Sequence, residues 1–355
     1  MTDDQTMPAM APLRKGDLIA FVSPSARLND LFAHRVARGV EYFEKAGYRV
    51  KVIYKSQLSS DHETQIQERC AELHEAFGDP EVKAIVCTIG GTSANELLER
   101  LDYDLIRRNP KIFCGFSDIT LLHHAFYTQA GLRSFYGPAV LTSWGEHPGP
   151  LEFTAQSFFA MTSGAGCSDD GGVLPQSAAW SQEWLDWLDP ATDKQPRTLD
   201  SAPRRRALRG GTATGLLLGG CLPCVVQTLG TKYRPDYNGA VLLLETPEAE
   251  HRPDAGWGLA QARTALTDLR NAGVLHQIAG LVVGRPFMYD AETSERFEAA
   301  VMEACRDSRY PILGNIDAGH SHPILTLPLG VKVRVTARQE PDVASIAVME
   351  NPTSI

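Results

Sequence analysis

Along its first third the chain alternates short, nearly unbroken apolar runs with longer segments in which apolar residues recur every three or four positions. "DLIAFVSPSA" is an apolar run stopped by Ser-Pro, "LFAHRVARGVEYFEKAG" has helical spacing and stops at Gly47, and "RVKVIY" reads as a strand. "IQERCAELHEAFGD" predicts a second helix. The run "VKAIVCTIGG", the helical "SANELLERL" and then "KIFCGFSDITLLHHAF", a short strand handing over to a helix, continue the series. Apolar strands separated by helices predict a parallel sheet covered on both faces, an α/β fold.

Over residues 145–210 Pro, Gly, Ser, Asp and Arg accumulate and the periodicity fades, which predicts a linker with inserted loops. A second αβ series follows: "TGLLLGGCLPCVVQTLGT", "GAVLLLET", the helix "GWGLAQARTALTDLRNAG", "IAGLVVGRP", the helix "ETSERFEAAVMEACRD", "PILGNID", and a final strand pair, "ILTLPLGVKVRVT" and "VASIAVME". The expected division is a disordered leader over 1–12, an N-terminal α/β domain over 13–144, the linker with its Trp-containing loop over 145–210, and a C-terminal α/β domain over 211–355. A chain of 355 residues exceeds the size at which one hydrophobic core usually keeps growing, so two domains are the prior expectation as well.

Composition narrows the function classes. With 43% hydrophobic and 22% charged residues the chain reads as globular, and its net charge of -9 argues against binding nucleic acid through bulk phosphate attraction. Arg204-Arg205-Arg206 reads as a solvated loop face. The N-terminus carries acidic residues where a signal peptide is basic, and no run approaches the roughly 20 apolar residues of a membrane span. A cytoplasmic protein without membrane association is expected. The seven cysteines, an odd number lying mostly in apolar segments, suit buried thiols in a reducing compartment, and Cys221-Leu-Pro-Cys224 lacks the second pair that would complete a zinc site.

Candidate chemistry gathers where strands end, because ligands of α/β sheets collect at the carboxyl edge. Ser117 stands at such an end. It reads either as a helix cap or as a nucleophile on a tight strand-to-helix turn, with the Asp118 N–H directed at a developing oxyanion. The segment Gly115-Phe116-Ser117-Asp118-Ile119 lacks the second glycine of G-x-S-x-G. Gly90-Gly91-Thr92, ending the preceding strand, suits a tight turn, a phosphate cradle or a second oxyanion donor. A serine nucleophile needs a base and the base an orienting acid. His320, in "NIDAGHSHPILTLP", follows a strand and has His322 as a near rival; Glu245 ends the apolar strand "GAVLLLE".

Together "GDLIAFVSPSA", "IGGTSANELL", "FCGFSDITLLHHAF", "FYGPAV", "LLLET" and "DAGHSHPILTLPLG" resemble the LD-carboxypeptidase family of serine peptidases. The resemblance implies an N-terminal flavodoxin- or glutaminase-like domain and a C-terminal swivelling β/α/β-like domain. It implies a Ser117–Glu245–His320 triad split between them, oxyanion donors at Gly91 and Asp118, and no metal or cofactor. It also selects His320 over His322, because the family histidine follows Gly in G-H-x-x-P.

Two subfamilies divide this resemblance, one trimming murein tetrapeptide at an L,D bond, the other similar to microcin C immunity peptidases that detach an aminoacyl or peptidyl group from a nucleotide-like toxin. "AAWSQEWLDW" followed by "QPRTL" looks like the inserted loop of the second, which implies ligand contact for Trp180 and Gly90 and a small-molecule aminoacyl- or peptidyl-nucleotide as partner. Trp184 and Trp187 read as the apolar face of a helix capped near Ser181. Cys221 stands where an Asn is frequent in the family, which leaves its local hydrogen bonding open. A non-catalytic nucleotide-binding protein is the alternative of another class, and a homodimer is an open expectation.

Overall fold

The computed structural model describes residues 9–56, 59–165, 172–339 and 342–353. Its first sheet has six strands in the order Leu327–Leu329, Ser134–Tyr136, Ile112–Gly115, Val82–Cys87, Leu18–Val22 and Arg49–Ile53. All pairings are parallel except that of Leu327–Leu329, which runs antiparallel to Ser134–Tyr136. The five parallel strands, numbered along the chain, lie in the order 2-1-3-4-5 of a flavodoxin-like doubly wound sheet.

The two-residue period of a strand explains why its central runs are apolar throughout. In Leu18–Val22 the side chains of Ile19 and Phe21 enter one core with Phe43, Trp144 and Phe158, while Ala20 and Val22 enter the opposite core with Leu73 and Phe77. Ala33–Lys45 covers the first face and His62–Gly78 the second. Asp61 starts the latter helix by accepting the Thr64 N–H.

The second sheet has eight strands with a parallel centre, Gly211–Cys221, Val241–Glu245, Gly280–Gly284 and Ile312–Ile316. Antiparallel strands flank it: Lys332–Gln339, Asp342–Val348 and Gly172–Val173 on one side, Arg206–Arg209 on the other. Leu259–Asn271 and Ala291–Ala304 supply Leu266, Leu269, Phe297 and Val301 to the core on one face of it.

Several expectations change. The stretch expected as a linker contains the helix Glu152–Thr162, whose Phe158 and Met161 fill the core around Trp144. Its apolar residues, Phe153, Phe158, Phe159 and Met161, spread over more than half its circumference, so no single stripe marks it in the sequence. Of the leader, residues 1–8 lie outside the described residues, whereas Met10 is 2% exposed and packed in the first core. Leu327–Leu329, expected with the C-terminal domain, joins the edge of the N-terminal sheet. Arg205 is buried rather than solvated, 3.3 Å from Asp317. The six described cysteines are free and buried; Cys167 lies outside the described residues.

Candidate active site

Strand Ile112–Gly115 ends in a tight turn that holds Ser117 at φ 64°, in the left-handed region. A non-glycine residue is held there only when its surroundings over-determine it, and a strained serine between strand and helix is the geometry of a nucleophile elbow. Its hydroxyl caps nothing: the 3-10 turn Ser117–Ile119 has no side-chain cap. The Ser117 Oγ lies 3.0 Å from His320 Nε2, and His320 Nδ1 lies 2.8 Å from Glu245 Oε2. Three segments distant in sequence, on two sheets, thus meet in one line of hydrogen bonds.

Glu245 is the last residue of Val241–Glu245 and fully buried. Burial alone would raise its carboxyl, but His320 and a hydrogen bond from Tyr136 outweigh this and hold it below the ordinary value. Tyr136 Oη donates to Glu245 Oε1 at 2.6 Å and accepts the Ser117 N–H at 3.1 Å, so one phenol fixes both acid and elbow. Tyr136 was not among the expected site residues. Its signal in the sequence was the motif "FYGPAV". Cys221, the register partner of Glu245, donates its N–H to Thr120 Oγ1 at 3.0 Å.

His320 carries a second carboxylate. Glu248 Oε2 lies 3.0 Å from Nε2, the nitrogen that also faces Ser117. Burial pushes the imidazolium down, but Glu245 and Glu248 together overcome it and raise the histidine to about 9. Phe116 and Phe287 flank the ring, with centroids at 5.0 Å and 6.2 Å. His322, the rival, makes a backbone bridge to Ser181. Burial, Arg197 and Arg35 hold it well below the ordinary value, and the hydrogen bonds to Ser117 and Glu245 belong to His320.

Gly90 and Gly91 lie in the loop that follows the neighbouring strand Val82–Cys87, beside the elbow. A Cβ on Gly90 would lie 2.7 Å from Ser117 Cβ and 3.3 Å from the Asp118 nitrogen. Gly91, at φ 145°, would drive a Cβ to 2.5 Å from Ser25 Oγ. Asp118 turns its carboxylate away from the nucleophile, accepting from the Ser25 hydroxyl and the Ala94 N–H; burial raises its carboxyl despite those bonds.

Above these residues opens a cavity of about 410 Å³, lined by Gly90, Gly91, Ser117, Glu248 and His320 on one side and by Trp184 and Trp187 on the other. Trp180, expected to contact the ligand, is not among its lining residues. The predicted helix does not form: Trp180 lies in the short strand Ala179–Trp180, and the bridge of Ser181 to His322 holds the chain extended. The Trp180 ring instead faces Arg285, 5.8 Å away. Trp184, 44% exposed, and Trp187 line the cavity in place of forming a helix face. Trp187 stands edge-on to Phe32 and under the Arg35 guanidinium at 4.3 Å. Arg35 pairs in turn with Asp193 and Glu146, and Arg197 with Glu146, which pins the loop. Among the described residues no group of three or more His, Cys, Asp or Glu side chains is gathered to hold a metal ion, and no helix is long and apolar enough to cross a membrane.

Residues 19–137 match the LD-carboxypeptidase N-terminal domain and residues 214–335 its C-terminal domain. The microcin C7 self-immunity protein of Escherichia coli is 32% identical over 92% of this chain and 92% of that protein. A probable murein peptide carboxypeptidase of Bacillus subtilis is 28% identical over 95% of this chain and 94% of that protein. The solved structure of the microcin C7 self-immunity protein in complex with aspartyl sulfamoyl adenosine matches with a TM-score of 0.84 and 29% identity, covering 98% of this chain and 99% of that one. With two domains in family order and a relative aligned along almost its whole length, the chain belongs to the LD-carboxypeptidase family of serine peptidases.

Proposed function

We propose that this protein is a serine hydrolase that cleaves the amide-type bond between an aminoacyl or peptidyl group and a nucleotide-like moiety. The observation that carries the reading is the Ser117–His320–Glu245 line of hydrogen bonds at the floor of a cavity whose other wall holds two indoles. Ser117 Oγ attacks the acyl carbon as His320 Nε2 takes its proton. Glu245 keeps His320 in the tautomer protonated at Nδ1 and stabilises the imidazolium. The N–H groups of Gly91 and Asp118 hold the oxyanion. His320 then passes the proton to the leaving nitrogen, the C–N bond breaks, and a seryl ester remains. Water, deprotonated by the same histidine, releases the acid and restores Ser117.

The nucleotide side of the substrate is assigned to Trp184 and Trp187, since a planar base is well served by an aromatic wall. The relative solved with an aminoacyl sulfamoyl adenosine supports that choice. The test offers alanyl sulfamoyl adenosine and murein tetrapeptide separately and follows products by mass spectrometry. Release of sulfamoyl adenosine is expected. Cleavage of the tetrapeptide alone would transfer the reading to murein recycling, and binding without turnover would leave a nucleotide-binding protein.

A further inference from the structure

The reaction as derived gives no role to Glu248, although its carboxylate touches the catalytic base. Its carboxylate belongs to Glu248–Ala249, a strand paired with Arg252–Gly256 in a hairpin that begins three residues beyond Glu245. The side chain is 43% exposed and lines the cavity. Among the described residues its one ionic partner is His320 Nε2, at 3.0 Å, the atom that must also receive the proton of Ser117. The other cation of the cavity wall is engaged elsewhere: Arg197 pairs with Glu146 at 2.9 Å and donates to the Glu183 carbonyl. Glu183 and Asp186 add further negative charge to the same lining. A partly exposed carboxylate held on the same nitrogen as the attacking oxygen is a poor neighbour for an anionic group and a ready partner for a cationic one.

Resting on the hydrolase reading above, we propose that Glu248 receives the free α-ammonium of an aminoacyl substrate, so that the site takes unblocked aminoacyl groups in preference to N-acylated or peptidyl ones. The α-nitrogen is the substrate cation nearest the chemistry, since it sits two bonds from the carbonyl carbon, about 2.5 Å from it by standard bond lengths and angles. A carbonyl carbon in contact with Ser117 Oγ can therefore hold its α-nitrogen within reach of Glu248, whose carboxylate shares His320 Nε2 with that hydroxyl. The ammonium draws the Glu248 carboxylate from Nε2 and leaves that nitrogen to Ser117 alone. An acylated nitrogen carries no charge to make the exchange. Glu248 thus couples recognition of the amine to release of the base.

Three compounds with one leaving group test this: alanyl, N-acetylalanyl and propionyl sulfamoyl adenosine. The second blocks the amine, and the third removes it without added bulk. In the unaltered protein kcat/KM for the alanyl compound should exceed both others by roughly 10-fold, the upper scale for a charge pair at a partly exposed carboxylate. In Glu248→Gln this preference should shrink to within about threefold, which separates recognition from the intrinsic reactivity of the three carbonyls. Dissociation constants measured by calorimetry on Ser117→Ala should carry the same order of preference, so the inference is readable even if nothing is turned over. Equal use of the alanyl and propionyl compounds, a preference that persists in Glu248→Gln, or absence of alanyl binding to Ser117→Ala overturns it. Failure to cleave the alanyl compound while it binds Ser117→Ala with that preference overturns the hydrolase reading alone.

Discussion

Gly90→Ala tests whether the backbone of the loop after the neighbouring strand sets the position of the nucleophile. The added Cβ would stand 2.7 Å from Ser117 Cβ and 3.0 Å from its Oγ, with the Asp118 nitrogen at 3.3 Å. To reach the 3.4 Å of ordinary contact, the two chains must separate by about 0.7 Å. Nothing there yields easily. Ser117 Cβ is one bond from a backbone already held at φ 64°, its N–H is fixed on Tyr136, and the Gly90 carbonyl accepts from the Ala26 N–H. A displacement of that size in a reacting atom costs about 100-fold in rate, and overpacking costs about 1–3 kcal/mol of stability. The assay is kcat on alanyl sulfamoyl adenosine beside a thermal melt and the rate of acylation by a fluorophosphonate. Gly149→Ala, where the added Cβ finds only a Tyr42 ring carbon at 3.9 Å, serves as the control. A Gly90→Ala protein that acylates and turns over at the normal rate would refute the reasoning, since the elbow would then tolerate a shift that the geometry forbids.

Other outcomes follow from the same contacts. Ser117→Gly should lose turnover yet melt higher than the parent, because glycine adopts the left-handed conformation without the roughly 1–2 kcal/mol that a side chain costs there; a lower melting temperature would argue against stored strain. The unperturbed histidine value would have activity fall as pH drops through roughly 6 to 7. Glu245 and Glu248 move that window upward. The active form of His320 is the neutral one and its folded value is raised to about 9, so kcat/KM of the free enzyme should climb with pH toward that value and decline below it. Glu248→Gln should shift the profile to lower pH, and a profile unchanged by that substitution would contradict the pairing. Trp184→Ala should weaken nucleotide-bearing substrates by about 1–3 kcal/mol, seen mainly in KM, and spare an acyl substrate with a small leaving group. Trp180→Ala should leave that comparison unmoved; the reverse pattern in steady-state kinetics would return the base to Trp180.

The α/β alternation was legible because both faces of a parallel sheet are buried, which forces continuous apolar strands such as Leu18–Val22 and Val82–Cys87 between amphipathic helices. Ser117, Glu245 and His320 were legible as candidates because each stands at or just beyond the end of an apolar run, while the choices of nucleophile over cap and of His320 over His322 came from the family resemblance. Local pattern has no hold on what depends on a distant partner. The helix Glu152–Thr162 is set by the core around Trp144, and the edge strand Leu327–Leu329 by the free side of Ser134–Tyr136. The loop bearing the tryptophans carries helical spacing, yet the bridge of Ser181 with His322 and the ion pairs of Arg35 and Arg197 hold it extended, setting Trp180 against Arg285 and Trp184 and Trp187 along the cavity. Sequence thus marked which residues were candidates for chemistry, because position at the end of an apolar run is a local property. Tertiary structure decided which of them meet, adding Tyr136 between acid and elbow and Glu248 beside the base, because a hydrogen bond between side chains more than 100 positions apart, or a carboxylate facing a histidine from another loop, is fixed only when the domains close on each other.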